Sequence, residues 1–317
     1  MGKRTRRIGF WMDPIETIKP HKDTSFALML AAQDLGHEII YLPKNGLSLV
    51  NGEARATLYG VKATDGVHEN FIILSEPSVE PISTIDTIII RVDPPFDSEY
   101  LYGTHILDRA AAEGVRVVNN PKAIRDCNEK LFATEFSELM PKTVVSSKHD
   151  DIRAFQKRQG DIILKPLDGM GGSGIFRITA DALNLSAVLE TLSPKQTRLV
   201  MAQEYRPEIV DGDRRVLVLN GKPIEHVLAR IPSQGETRGN LAAGGRGVAM
   251  LISKHERKIA EAVGPKLMEK GLLFAGLDII GNHLIEINVT SPTCVREIDA
   301  QIGSNISRDF FKTLLNE

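Results

Sequence analysis

Leu277-Asp278-Ile279-Ile280-Gly281-Asn282-His283-Leu284-Ile285-Glu286-Ile287-Asn288 is the stretch on which the reading of this chain turns. Glu286 and Asn288 alternate with Ile285, Ile287 and Val289. On a strand both therefore project to one face while the apolar residues pack behind. Carboxylates set in so apolar a strand need an opposing charge, and a divalent cation held by oxygen ligands supplies one. Asp278 joins that face under one geometric condition. A plain two-residue turn at Gly281-Asn282 pairs it with Ile285 and turns it away. A three-residue loop at 281–283, or an equivalent bulge, sets it opposite Glu286. We expect the odd-length loop or the bulge. The competing reading is an ordinary solvated strand edge.

Upstream, Asp168-Gly169-Met170-Gly171-Gly172-Ser173-Gly174 contains G-x-G-x-x-G. A dinucleotide-binding turn must open a helix, yet Ile175-Phe176-Arg177-Ile178 comes next and is strand-like. No Gly-Lys-Ser/Thr closes a Walker loop. There remains a strand–glycine loop–strand flap whose backbone N–H groups can close over phosphates, or else a flexible hairpin turn. A protein kinase places its lysine after the glycines and carries His-Arg-Asp and Asp-Phe-Gly elements; here Lys165 precedes them and those elements are missing. Asp213 and Arg215 share a strand face, and Arg215 and Arg230 can steady phosphate by bidentate hydrogen bonds. Either arginine alone would read as surface charge.

Further out, apolar runs at 8–12, 39–42, 85–92 and 115–119 alternate with helical patterns at 23–36 and 98–113. That order argues for a parallel, Rossmann-like sheet. Asn51-Gly52 and Asn220-Gly221 are hairpin signals. Helices are expected at 128–139, 150–159, 181–193 and 254–270, and strands at 161–165, 174–178, 198–205, 214–219, 223–231, 273–280 and 284–289. Residues 232–247, with glycines at 235, 239, 244, 245 and 247, read as a long mobile loop.

The 317 residues allow roughly two domains, with room for a third. Apolar residues make up 42%, enough for a real core, and 39 Lys plus Arg stand against 41 Asp plus Glu. The near-zero net charge excludes the basic footprint of a nucleic-acid binder, and the composition is not that of a disordered chain. Cys127 and Cys294 form no CxxC pattern, which excludes a disulfide framework or zinc knuckle and suits a reducing compartment. The basic head at 3–7 is followed by a short apolar run that Asp13-Pro14 ends, so no signal peptide is expected, and Arg6 breaks the myristoylation pattern. The expected location is cytoplasmic, without membrane or nucleic-acid partners.

In this order, Lys130, Lys165, the glycine flap, Gln203-Glu204-Tyr205, Asp213-x-Arg215, Asp278 and Glu286-x-Asn288 resemble an ATP-grasp ligase. Three early runs narrow the resemblance to the prokaryotic glutathione synthetase family: Met12-Asp13-Pro14-Ile15, Arg91-Val92-Asp93-Pro94-Pro95-Phe96-Asp97 and Arg125-Asp126-Cys127-Asn128-Glu129-Lys130-Leu131. Later runs agree: Leu164-Lys165-Pro166-Leu167-Asp168-Gly169-Met170-Gly171-Gly172, residues 232–247, and Glu286-Ile287-Asn288-Val289-Thr290-Ser291-Pro292-Thr293-Cys294. The likeness covers nearly the whole chain. It departs at Val92, where a Lys is expected, and the basic stretch 3–7 reads as an extension.

The resemblance implies an α/β chain with a Rossmann-like N-terminal (pre-ATP-grasp) domain over 1–127. A two-lobed α+β ATP-grasp fold comes after it: a lid lobe with the glycine flap at 128–202, and a C-terminal lobe at 203–317 with the metal site and the mobile loop 232–247. It implies ligation of γ-glutamylcysteine to glycine through an acyl phosphate, with ATP cleaved to ADP and phosphate. Mg2+ or Mn2+ would sit on Asp278, Glu286 and Asn288. ATP would lie against Lys130, Lys165, Gly169, Gly171, Gly172, Gln203, Tyr205 and Asp213. Arg215 and Arg230 would offset charge developing in the reaction. Arg91, Arg238, Ser291 and Thr293, with Arg296 close by, would meet the peptide substrate. Loop 232–247 would close to exclude water, and the assembly would be a homotetramer. The rival readings are another carboxylate–amine ligase, an ATP-binding module without catalysis, and a kinase-like transferase.

Overall fold

The computed structural model describes residues 4–66, 70–233, 239, 241 and 244–316. Arg238, together with much of the expected mobile loop, lies outside the described residues. The chain opens with β1 (Arg7–Met12), which is almost wholly buried, and α1 (Thr24–Asp34). Asp23 caps α1 by accepting the Phe26 N–H at 2.7 Å, satisfying one of the helix's orphan donors. Then come β2 (Glu38–Pro43), β3 (Leu47–Val50), β4 (Glu53–Ala63), β5 (Phe71–Ile73), β6 (Ser78–Pro81), β7 (Thr87–Ile90), α2 (Ser98–Ala112) and β8 (Arg116–Val118). These strands form one sheet in the order β3-β4-β2-β1-β7-β8, with β5 and β6 also on β4. β1, β2, β7 and β8 run parallel, as the alternation of strand and helix requires, and β7 is buried at every residue. An antiparallel extension through β4 adds to this parallel heart, and the expected Asn51-Gly52 turn joins β3 to β4 within it. Its short strands β5 and β6 are largely exposed, so no apolar pattern marks them.

α3 (Pro121–Asp126) and α4 (Glu129–Ala133) come next. The helix expected at 128–139 ends early: after Ala133 it tightens to a 3-10 turn, and Phe136 leaves helical geometry altogether. β9 (Thr143–Ser146), α5 (His149–Gln159), β10 (Ile162–Pro166), β11 (Phe176–Ile178), α6 (Leu185–Leu192) and β12 (Val200–Glu204) build an antiparallel sheet ordered β11-β10-β12-β9. The third sheet contains β13 (Asp213–Leu219), β14 (Lys222–Pro223), β15 (His226–Ile231), β16 (Arg246–Leu251), β17 (Phe274–Ile280) and β18 (His283–Asn288). α7 (Lys254–Lys270) packs beside it, opened by a Ser253/Glu256 capping box and closed by Gly271 in the left-handed region. α8 (Val295–Ile302) and α9 (Ile306–Leu315) finish the chain.

The cores explain how these parts are joined. Trp11, Ile88 and Leu107 of the first sheet and its helices belong to the same buried cluster as Val216, Leu277 and Ile287 of the third. The second sheet keeps a core of its own around Ile152, Leu164 and Ala202. Asn119 adds a polar rivet between the first and third sheets. Its buried Nδ2 donates to Phe274 O at 2.7 Å and Val289 O at 2.8 Å, and its Oδ1 accepts the Phe274 N–H. Val92, where a Lys is expected, is fully buried in the shared core. The valine side chain is part of that packing.

Candidate active site

β17 and β18 are joined by the two-residue turn Gly281-Asn282, with Ile280 opposite His283 and Ile279 opposite Leu284. The register then shifts between Asp278 and Ile279, Ile285 is left over, and Asp278 lies opposite Glu286. The bulge alternative is therefore the one realised, and one extra residue on β18 brings Asp278 round to the face of Glu286 and Asn288.

Across β13 the pairing continues this face. Arg215 lies opposite Asp278 on one side and Asp213 opposite Arg230 on the other. Arg215 Nε and Nη2 donate to the two Asp278 carboxylate oxygens at 2.7 and 3.2 Å. Arg230 Nη2 lies 2.9 Å from Asp278 Oδ2 and also pairs closely with Asp213. Burial by itself would raise the Asp278 carboxyl, but the two guanidiniums hold it well below the usual carboxylate range. Asp213 pairs with Arg230; burial, reinforced by the Asp278 charge, outweighs the Arg230 and Arg215 charges and pushes it up to about 7. Burial works against the Arg230 charge, yet Asp213 and Asp278 together raise that group above its ordinary value.

Glu286 faces Lys130 Nζ at 3.7 Å. The same ammonium donates to Gly169 O at 2.7 Å, tying the glycine flap down to the metal-strand candidates. Asn288 commits its amide Nδ2 to Gly276 O at 3.1 Å, which leaves the carbonyl oxygen as its free donor atom. Gly171, Gly172 and Gly174 take φ of 63, 84 and 69°, a region closed to most side chains, so the flap needs glycine there. Lys165 is buried on β10; desolvation lowers it to about 8, with Glu286 pulling the other way.

A cavity of about 380 Å³ brings together Lys130, Gly169, Gly171, Gly172, Arg215, Arg230, Asp278, Glu286 and Asn288 with Arg91, Ser291 and Thr293. A smaller one of about 100 Å³ holds Lys165, Gln203, Tyr205 and Asp213, and shares Ile175, Asp278 and Glu286 with the first. Arg177 stacks over the Tyr205 ring at 3.9 Å. Every candidate within the described residues thus meets in one two-chambered cleft. Arg296, weighed beside them, does not: it pairs with Asp65 at 2.6 Å and covers the Phe26 ring. Arg91 lines the cavity but spends Nε on Ser25 Oγ and Nη1 on Pro292 O, bridging the first sheet to the C-terminal segment.

Glu129 went unread in the sequence. Its Oε1 accepts the Val289 and Thr290 N–H groups at 2.9 and 3.1 Å and the Thr290 hydroxyl at 2.8 Å, fixing the chain where it leaves β18. Burial, then the neighbouring Glu286 charge, raises its carboxyl. Asp13 and Asp93 were also missed: Asp13 Oδ2 accepts the Asp93 N–H at 2.8 Å, and Asp93 takes a close hydrogen bond from Ser291. Both sit in runs that carry the family resemblance, which was the available signal. Two carboxylates, a carboxamide oxygen, two guanidiniums and two ammonium groups under a glycine loop make a surface suited to a polyphosphate with hard cations.

Comparison with known proteins gives two adjoining family matches: residues 7–125 to the N-terminal domain of prokaryotic glutathione synthetase, and 129–303 to its ATP-grasp domain. The chain is 53% identical over 300 residues to the glutathione synthetase of Pseudomonas syringae pv. tomato, covering 95% of this chain and 94% of that protein. To that of Escherichia coli (strain K12) it is 50% identical over 301 residues, 95% of each. Among solved structures it resembles the D-cycloserine synthetase DcsG, with a TM-score of 0.66 at 13% identity over 98% of this chain and 99% of that one. It also resembles the ATP-grasp ligase PsnB, solved with a minimal precursor, Mg and ADP. There the TM-score is 0.60 at 17% identity, over 98% and 97% of the two chains.

Proposed function

This chain belongs to the prokaryotic glutathione synthetase family, and from that premise we infer an ATP-dependent ligase that produces glutathione by joining γ-glutamylcysteine to glycine. The observation that carries the mechanism is the register placing Asp278 opposite Glu286, with Asn288 on the same face, beneath the glycine flap. ATP-grasp chemistry in two steps fits this surface. The cysteinyl carboxylate attacks the γ-phosphorus and ADP leaves. The glycine amine then attacks the acyl carbon, phosphate leaves, and the amine gives up a proton.

Asp278, Glu286 and the Asn288 carbonyl are hard oxygen donors that suit Mg2+, and Mn2+ by the same chemistry. Cations held there would neutralise charge on the phosphates. The chain's own residues carry the remaining work. Lys130 and Lys165 hold phosphate oxygens under the flap, and Gln203 and Tyr205 form the wall for adenine in the smaller chamber. Arg215 and Arg230, already desolvated and held in place, need little reorganisation to meet charge growing on the phosphoryl group and the tetrahedral oxyanion. Arg91, Ser291, Thr293 and the loop residue Arg238 are assigned to the peptide substrate.

The connection from β15 to β16 spans 232–245 and not the expected 232–247, because Arg246 and Gly247 already pair with Ile231 and Arg230 as part of β16. At Gly239 the loop lies directly on the site, where an added Cβ would collide with Arg230 O and come within 3.2 Å of Asp213 Cβ. That placement supports a lid which keeps water from the acyl phosphate. We assign residues 1–127, 128–202 and 203–317 to the N-terminal domain, the lid lobe and the metal-bearing lobe. A homotetramer is supported by the exposed apolar run Leu49, Val50, Ile72, Ile73, Leu74 and Val79 on the antiparallel extension. Cytoplasmic placement is supported by the free thiols of Cys127 and Cys294.

The activity is tested with purified protein, ATP, Mg2+ and γ-glutamylcysteine, with and without glycine, scored by mass spectrometry. Tripeptide and phosphate are expected only with all components; phosphate release without tripeptide overturns the ligase assignment.

Lys165 gives this function a pH signature. Its ligand-free value of about 8 lies below the ordinary lysine value of 10.5. Between those limits the unfolded chain binds the extra proton, so the ligand-free fold gains stability as pH rises through the window. Phosphates beside Lys165 restore its charge. ATP binding therefore takes up a proton above pH 8 and weakens with further rise, by at most about tenfold per pH unit. Calorimetry at about pH 8.5 in two buffers of different ionisation enthalpy should show that uptake, and Lys165→Met should remove it.

A further inference from the structure

One wall of the smaller chamber is a single strand face. Ile163 of β10 lies opposite Arg177 of β11 on one side and Gln203 of β12 on the other, so these three side chains project together. Alternation carries the same face on to Asp161 and Tyr205. Ile163, Gln203 and Tyr205 line the chamber, whereas Arg177 and Asp161 line neither cavity. β12 ends at Glu204, so Tyr205 stands just past the strand, where its N–H donates to Asp161 O at 3.0 Å. That bond pins the backbone and leaves the side chain free to turn. The Arg177 guanidinium removes this freedom: its Cζ lies 3.9 Å from the Tyr205 ring centroid, a cation against a π face. Asp161 in turn holds Arg177. Nε and Nη2 both donate to Asp161 Oδ2, at 3.2 and 2.7 Å, while Oδ1 accepts the Ala180 N–H at 3.0 Å. Asp161 therefore grips Tyr205 twice, at its backbone and, through Arg177, at its ring.

We propose that Arg177 is a positioning residue for ATP, bracing the Tyr205 ring from outside the chamber so that the adenine wall is set before the nucleotide arrives. This rests on the ligase reading and deepens it at the nucleotide. A wall that is already fixed costs the incoming base less ordering entropy than one that must be immobilised around it. Arg177 and Asp161 offset each other's charge, so the guanidinium is not spent on drawing in the triphosphate. Its contribution runs through the ring. It therefore belongs to affinity for the base and not to the phosphoryl transfer. The pair keeps 35 and 30% of its side-chain surface exposed, which sets the expected effect at that of a cation–π contact near the surface.

The test is steady-state kinetics of Arg177→Met, Tyr205→Leu and the double variant, with inorganic tripolyphosphate as a competing probe that has phosphates and no base. Arg177→Met is expected to raise KM for ATP by about three- to tenfold. It should leave kcat, and the KM values for γ-glutamylcysteine and glycine, within about twofold. The inhibition constant of tripolyphosphate should also stay within about twofold. On the Tyr205→Leu background, where there is no ring to brace, the same substitution should change KM for ATP by less than about twofold. Losses that simply multiply in the double variant would show that Arg177 does not act through the ring. A tripolyphosphate constant rising in step with KM for ATP would place Arg177 at the phosphates, beside the glycine flap that β11 leaves. A Tyr205→Leu enzyme with an unchanged KM for ATP would take the ring out of the nucleotide site. Any of these three results overturns the proposal. Should Arg177→Met fail to fold, Arg177→Gln keeps a hydrogen bond to Asp161 and removes only the cation, and it is held to the same expectations. Absence of tripeptide in wild type would instead count against the ligase reading itself.

Discussion

Glu286→Gln is expected to lower kcat by about 10³-fold or more, with the thermal midpoint nearly unchanged. Loss of one electrostatic stabiliser of a reacting phosphate costs about 10²–10³ in rate, and Glu286 also holds an end of the cation site. In the ligand-free protein its nearest ionic partner, Lys130 Nζ, is 3.7 Å away. That ammonium keeps its hydrogen bond to Gly169 O when the charge is removed. The fold therefore loses little. Asp278→Asn should behave differently. It removes a comparable share of activity, and it also strips the shared anion from Arg215 and Arg230, which are both buried. Breaking such a network costs about 3–5 kcal/mol. Steady-state rates and thermal melts on the two variants separate chemistry from folding. A Glu286→Gln enzyme within tenfold of wild type would remove the cation site from the mechanism.

Gly264→Ala is expected to cost stability at a position remote from the cleft. In α7, Gly264 lies against the Asn220-Gly221 turn, where Asn220 and Gly221 have φ of 51 and 73°. A methyl at 264 would run into Gly221 O and come within 2.9 Å of Gly221 C. The obstacle is backbone on a turn that cannot yield without losing its left-handed geometry. In the other direction, a Cβ on Gly221 would meet Met268 Cγ at 2.7 Å. Helix propensity favours alanine by about 1 kcal/mol, while overpacking costs about 1–3 kcal/mol and more where backbone must move. We expect a net loss of about 2 kcal/mol or more, a fall of roughly 3 °C or more in Tm at this chain length. A melt of Gly264→Ala at or above the wild-type temperature would show that helix and turn separate easily. Activity at low temperature should be retained, because neither glycine lines the cleft.

Much of the site was legible because strand alternation is a local property. Glu286 and Asn288, and likewise Asp213 and Arg215, share a face through period-two geometry alone. The glycine flap was legible for a similar reason, since the strand-like run Ile175-Phe176-Arg177-Ile178 directly after the glycines excludes a helix there. Glu129 was not, because its importance lies in three bonds to Val289 and Thr290, far along the chain. Arg296 looked equivalent to its neighbours until folding turned it toward Asp65.

Sequence by itself determined which side chains the cleft has to work with, which pairs of them share a strand face, and the parallel heart of the first sheet. These come from backbone periodicity and from residue types that only certain conformations tolerate. Tertiary structure alone decided that a bulge at Ile285 brings Asp278 to Glu286, that Asp213 and Arg230 become partners, and that the first and third sheets share a core while the second keeps its own. Those outcomes depend on register and on contacts between segments distant in the chain. Their free energies are set by burial and by the charges that meet there, and no local pattern encodes them.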